Sequence, residues 1–128
     1  MKVQSYVNGQ WFESQDQGVE VCNAVNGDSV GWVSSSGIDF KQMLDHARQV
    51  GGPALRVMTF HERANRLKAL AQHLMEAKET FYRVSAWTGA TRVDSWIDIE
   101  GGIGTLFTYS SLVRRELANE TFIVEGPT

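Results

Sequence analysis

Residues 88–117 read TGATRVDSWIDIEGGIGTLFTYSSLVRREL, and the fold turns on how this stretch is taken. Thr91 and Asp94 stand at its start with the spacing of a helix cap, in which a hydroxyl and a carboxylate satisfy backbone N–H groups reciprocally. The spacing predicts one helix from about Val93 to Leu117, roughly 37 Å long at 1.5 Å per residue. Gly101, Gly102 and Gly104 fall in its interior, each costing about 1 kcal/mol relative to alanine. Such a cluster points to the close approach of another backbone. Gly89, just ahead of the cap, suits the left-handed conformation that closes a preceding helix.

Upstream, Thr59-Phe60-His61-Glu62 is a capping box. Leu67, Leu70, Ala71 and Leu74 give the helix it starts a buried stripe. Phe81, Val84 and the Ser85–Trp87 stretch continue that face after a break near Lys78. From Asp39, the residues Phe40, Met43, Leu44, Ala47 and Val50 form another helical stripe. Gly51-Gly52-Pro53 is expected to end that helix, with Pro53 opening a short turn through Leu55. The first 36 residues read as strands and turns instead. Asn8-Gly9 lies between Ser5-Tyr6-Val7 and Gln10-Trp11-Phe12, the strongest local hairpin signal because both residues accept positive φ. Val19 to Asn23 and Val30 to Ser34 are further strand candidates around Asn26-Gly27. Beyond Leu117, residues 119–124 suggest one more strand, followed by Glu125-Gly126-Pro127-Thr128. The expected fold class is α+β: N-terminal β-hairpins over about residues 4–34, then packed helices over about 39–117, mostly helical. There is no internal repeat or low-complexity segment.

The chain has 128 residues, enough for one modest core. Hydrophobic residues make up 42% and charged residues 21%, the balance of a folded domain and not of a disordered one. Net charge is −3, and the basic residues form no stripe, so nucleic acid is not an expected partner. No apolar run approaches the roughly 20 residues that span a bilayer, and the N-terminus lacks the apolar segment of a secretory signal. The single cysteine, Cys22, cannot form an internal disulfide, and a reducing cytoplasm is the expected setting.

Few residues suggest chemistry. Cys22 lies in a strand-like stretch without a basic partner nearby in sequence, and is expected to be a small core residue and not a nucleophile. His61-Glu62 begins an HExxH pattern, but residue 65 is Asn65, so a zinc site fails on ligand count. His46 and His73 lie on different expected helices. Gly102-Ile103-Gly104 is half of a dinucleotide fingerprint, but Phe107 occupies the third glycine position and no strand precedes it. Asp94, Asp98 and Glu100 are expected to complement the positive end of the helix dipole. Trp11, Trp32, Trp87 and Trp96 imply a substantial core or a sizeable interface. No catalytic, cofactor-binding or metal-ligating residue is assigned.

The order of segments is nevertheless distinctive. The hairpin YVNGQW is followed by the N-x-x-x-G-D pattern of Asn23 to Asp28, then Ala47-Arg48, the helix HERANRLKALAQHL, Thr88-Gly89-Ala90, and a long helix with an aromatic cluster near Tyr109. This resembles the start of the aldehyde dehydrogenase superfamily over essentially the whole chain. GGPALRVMTFHERA (residues 51–64) and residues 88–117 resemble more narrowly the aldehyde dehydrogenase half of the bifunctional ring-opening proteins of phenylacetic acid degradation (PaaZ-like). The competing resemblance is to the semialdehyde dehydrogenase of the benzoyl-CoA epoxidation pathway.

The resemblance implies that residues 1–128 are the N-terminal portion of a cofactor-binding domain in an α/β fold, whose parallel strands come later in the chain. It implies an NADP-dependent oxidation of a CoA-linked semialdehyde, of the 3-oxo-5,6-dehydrosuberyl-CoA type, after a fused hydratase domain has hydrolytically opened oxepin-CoA. The remainder of the dehydrogenase domain and that hydratase are then the expected partners, within a homo-oligomer. In the family a cysteine thiolate attacks the aldehyde, hydride passes to the nicotinamide, and a glutamate activates water. Nothing here matches that motif, so the chain by itself is expected to be catalytically silent and to bind no cofactor. Some members also hold a monovalent cation near the long helix, where Asp98 or Glu100 could supply a carboxylate. A reading of another class is a non-catalytic helical interaction or oligomerisation module.

Overall fold

The computed structural model describes residues 1–124 and Gly126. It is mixed α+β, with two small antiparallel sheets followed by helices. The chain divides into two compact units, one of residues 1–53 with 87–89, the other of residues 54–86 with those from 90 onward.

In the first unit, β1 (Ser5–Val7) and β2 (Gln10–Phe12) pair around Asn8 and Gly9. These two residues take φ of 52° and 84°, as a type I′ turn requires. The register sets Tyr6 opposite Trp11, with their rings edge to face at 5.2 Å. β3 (Val19–Cys22) pairs antiparallel with β4 (Ser29–Val33). The turn between them is closed by the Asn23 side chain, which accepts from Val25 N–H at 2.9 Å, and by Gly27 at φ 78°. The first residues add a parallel bridge to β4: Val3 N–H donates to the Trp32 carbonyl, and Trp32 N–H to that of Met1, both at 2.9 Å. The Lys2 ammonium donates to the carbonyls of Ser14 (3.0 Å) and Asp16 (2.7 Å). Ser14 is buried, its hydroxyl directed at the carbonyls of Ser34 and Ser36.

Asp39 caps α1 (Phe40–His46) by accepting from Gln42 N–H. The chain then departs from expectation. Gly51-Gly52-Pro53 does not end the helix: residues Ala47–Gly51 form a π turn, and α2 (Gly52–Arg56) resumes directly. A π turn widens the ladder to i→i+5 bonds, so the helix changes step just before the proline, which has no N–H to give. The expected apolar stripe is not covered, and Phe40 is 62% exposed.

In the second unit, α3 (Phe60–Glu76) and α4 (Lys78–Ala86) meet at Ala77, where three carbonyls compete for one N–H and the helix breaks. The long helix is continuous but not uniform. It comprises α5 (Arg92–Trp96), a π turn at Ile97–Gly101, and α6 (Gly102–Glu116). α3 and α6 pack with opposed directions. The Ser110 hydroxyl donates to the Ala64 carbonyl at 2.8 Å near one end, and His61 donates through Nε2 to the Leu117 carbonyl at 2.9 Å. Ala64, Ala71, Ile103 and Ser110 are buried there, the small residues permitting close approach.

Two expectations fail in this unit. A Cβ added at Gly101, Gly102 or Gly104 would meet nothing within 4 Å, so no backbone approaches the glycine cluster among the described residues. Residues 119–124 form no strand. A strand needs a partner ladder, and here the Glu120 carbonyl accepts instead from Phe60 N–H at 2.9 Å, beside the start of α3.

Candidate functional site

The most concentrated polar cluster lies where α4 faces the π turn of the long helix. Glu100 reaches out of that turn toward α4. Its Oε1 accepts from the Tyr82 hydroxyl at 2.8 Å and from the Lys78 ammonium at 3.1 Å. Tyr82 is buried, and the Arg92 guanidinium stacks on its ring 4.3 Å from the centroid. Arg92 also pairs with Glu79 at 3.3 Å in the open. Beside the cluster, the Ser85 and Ser95 hydroxyls lie 2.8 Å apart and Ser95 donates to the Thr91 carbonyl at 2.9 Å.

The electrostatics follow from these partners. The phenol hydrogen bond, then the lysine hydrogen bond, hold the Glu100 carboxyl below the usual glutamate range. Burial, followed by the hydrogen bond to Glu100, pushes the Tyr82 phenol up. At neutral pH one is therefore a carboxylate and the other a neutral phenol. General acid–base work needs a group that titrates near the working pH, and these shifts carry both away from it. The arrangement ties α4 to the π turn of the long helix.

The other sequence candidates are dispersed. Asp94 is a cap: its carboxylate accepts from the Thr91 hydroxyl and backbone N–H, which hold it below the usual aspartate range. Asp98 is exposed, and Glu100 is committed to α4, so the three carboxylates do not act together on the helix end. Among the described residues no group of three His, Cys, Asp or Glu side chains is placed to hold a metal ion. Cys22 is exposed and not a core residue, because nothing in its unit covers β3, all four of whose residues are open. His46 and His73 sit in the last turns of α1 and α3. Trp11, Trp87 and Trp96 are 69%, 40% and 55% exposed, so of the two readings of the tryptophans these three do not supply a core. Lys78, Tyr82 and Arg92 escaped sequence reasoning. They lie 8 to 22 residues from Glu100, and no short-range pattern links them to it.

A model of the aldehyde dehydrogenase family matches residues 11–127. The chain belongs to the aldehyde dehydrogenase family. Within the family it is similar to a 3,4-dehydroadipyl-CoA semialdehyde dehydrogenase of Aromatoleum evansii, with 38% identity over 111 residues, 86% of this chain and 22% of that protein. It is also similar to the NADP(+) succinate-semialdehyde dehydrogenase GabD of Escherichia coli K12, with 30% identity over 82 residues, 63% of this chain and 17% of that protein. The chain thus spans about a fifth of the length of these curated relatives. Among its described residues no helix is long and apolar enough to cross a membrane.

Proposed function

We propose that this chain forms the opening part of the cofactor-binding domain of an oxidoreductase that converts a CoA-linked semialdehyde to the acid with NADP. Its place is in phenylacetic acid breakdown, downstream of hydrolytic ring opening by a fused hydratase domain, in a cytoplasmic homo-oligomer. The observation that carries the reading is the 38% identity, sustained over 86% of the chain, to a relative named for a CoA semialdehyde. The match to a succinate-semialdehyde enzyme is weaker and shorter, and its name supplies NADP(+). In this reading the thiolate and the water-activating glutamate lie outside the chain, which is silent alone.

The test is an assay of a protein carrying this segment together with a complete family domain. NADPH should form with CoA-linked semialdehydes in preference to free succinate semialdehyde, and faster than NADH. A preference for the benzoyl-CoA-derived semialdehyde over the suberyl type would favour the epoxidation-pathway alternative. NADPH formation by the 128-residue chain alone would overturn the claim of silence.

A further inference from the structure

The aliphatic hydroxyls of α6 are of two kinds. Thr105 and Thr108 donate to the carbonyls of Gly101 and Gly104, four residues back, and Ser110 donates to that of Ala64 in α3. The Ser111 hydroxyl has no partner among the described residues. It lines an open cavity of about 310 Å³ together with His61 of α3 and with Arg114 and Arg115 of α6. Ser111, Arg114 and Arg115 share this wall because residues three and four apart lie on one face of a helix. The His61 ring is fixed by Nε2, which donates to the Leu117 carbonyl. Ser111 and Arg115 also border a second cavity of about 340 Å³, whose apolar wall is Phe107 and Leu112.

The charges of the first cavity are largely uncommitted. Arg114 has neither a hydrogen bond nor an ion pair among the described residues. Arg115 meets its neighbour Glu116 at 2.6 Å, but their side chains are 70% and 57% exposed, and a solvated pair of this kind is weak. Glu62, next to His61, is engaged in the Thr59 cap. The C-terminal end of a helix opposes an anion with about half a charge, against a full positive charge on each guanidinium. Two carbonyls at that end are also taken, that of Leu117 by His61 and that of Val113 by the Leu117 N–H at 3.0 Å.

We infer that this groove binds a phosphate monoester, its phosphoryl oxygens held by Arg114, Arg115 and the Ser111 hydroxyl and its organic part lying along Phe107 and Leu112. A phosphoryl group carries a charge of about −2 at neutral pH and three acceptor oxygens, and a guanidinium can present two parallel N–H groups to it. A carboxylate, with two oxygens and one charge, leaves part of this donor set unused. The apolar wall beside the anion site gives an ester a further contact that free phosphate lacks.

Titration of the chain with phenyl phosphate at constant ionic strength, followed by 1H–15N NMR, tests this. The amides of His61 and of residues 107–117 should shift and saturate. Inorganic phosphate and acetate should need concentrations at least about tenfold higher, as expected for loss of the apolar contact or of a charge. Arg114→Gln should weaken phenyl phosphate binding about tenfold, the loss of a charge-assisted hydrogen bond. Leu112 is 37% exposed, so Leu112→Ala keeps the fold and should narrow the gap between phenyl phosphate and inorganic phosphate. The inference is overturned by the absence of a saturable shift, by shifts confined to other elements, by unchanged affinity in Arg114→Gln, or by equal binding of phenyl phosphate, phosphate and acetate.

Discussion

Ser110 is 2% exposed between α3 and α6, and its hydroxyl donates to the Ala64 carbonyl. Ser110→Ala removes one buried hydrogen bond with little change of volume and should cost about 0.5–1.5 kcal/mol in urea unfolding. Ser110→Leu has to find room in the same contact and should cost more, in the range of about 1–3 kcal/mol or beyond. Equal effects would mean that the helices are not tightly seated there. Glu100 makes a prediction about pH. Its carboxyl is held below the usual range when folded, first by Tyr82 and then by Lys78, so near pH 4 the unfolded chain binds more protons than the folded one. The contribution is complete above the unfolded value of about 4.3 and is lost as pH falls through the lower folded value. Asp94, held down by Thr91, acts in the same sense. Glu100→Gln should therefore melt lower than the parent at pH 7 and show a smaller further fall by pH 3. An unchanged melting-temperature difference between pH 7 and pH 3 would refute this role. Neither residue announces itself in the sequence. A serine inside a helix reads as solvent-facing, and Glu100 read as a dipole charge because its partners are supplied by another helix.

At the scale of elements, what local spacing controls was legible and what tertiary demand controls was not. The Thr59–Glu62 and Thr91–Asp94 capping boxes and the Asn8-Gly9 hairpin are all realised, because each depends on atoms within four residues. Thr59→Ala should cost about 1 kcal/mol, with Thr59→Ser close to neutral. A similar loss in both would assign the effect to the methyl group and not to the cap. The two Gly-Gly pairs misled in an instructive way. Gly51-Gly52 reads as a helix stop and Gly101-Gly102 as a close-packing face, yet each pair is the exit of a π turn. Propensity registers only the glycine penalty and carries no sign of the turn that each pair closes. In the hairpin unit the glycines differ among themselves. A Cβ at Gly9 meets open space, but one at Gly18 would stand 2.5 Å from the Val33 carbonyl oxygen, and both have positive φ. Gly9→Ala should cost only the left-handed strain of about 1–2 kcal/mol. Gly18→Ala adds a backbone collision and should cost distinctly more, measured as loss of amide protection in β3 and β4.

For the molecule as a whole, the sequence carried the α+β class and the family, since both rest on the order of segments. It could not show how little of its apolar surface the chain covers by itself. The buried apolar residues among those described are Ala64, Ala71, Tyr82 and Ile103, while Phe40, Val93, Trp96, Ile97, Phe122 and Ile123 are all more than half exposed. Periodicity marks a face as apolar without saying whether the covering surface lies within the same chain. Each fully buried large apolar side chain supplies about 1.5–3 kcal/mol, and here Tyr82 and Ile103, 7% and 5% exposed, are the large apolar side chains that come near that state. Any surface that covers the open faces would add stabilisation of the same kind. Indole emission reports this directly, because water around an excited indole shifts its fluorescence to longer wavelength. With Trp11, Trp87 and Trp96 open and Trp32 partly covered in β4, the emission of the dilute chain should lie toward the wavelength of free tryptophan. In a protein that joins this segment to a complete family domain, the same indoles should emit at shorter wavelength and resist acrylamide quenching. Trp96→Phe identifies the contribution of the long helix: it should remove part of that blue shift if the exposed side of α5 is covered in the larger protein. A shift of unchanged size in Trp96→Phe would place the covering surface elsewhere, and the absence of any shift would mean that the open faces of this chain stay open in the larger protein.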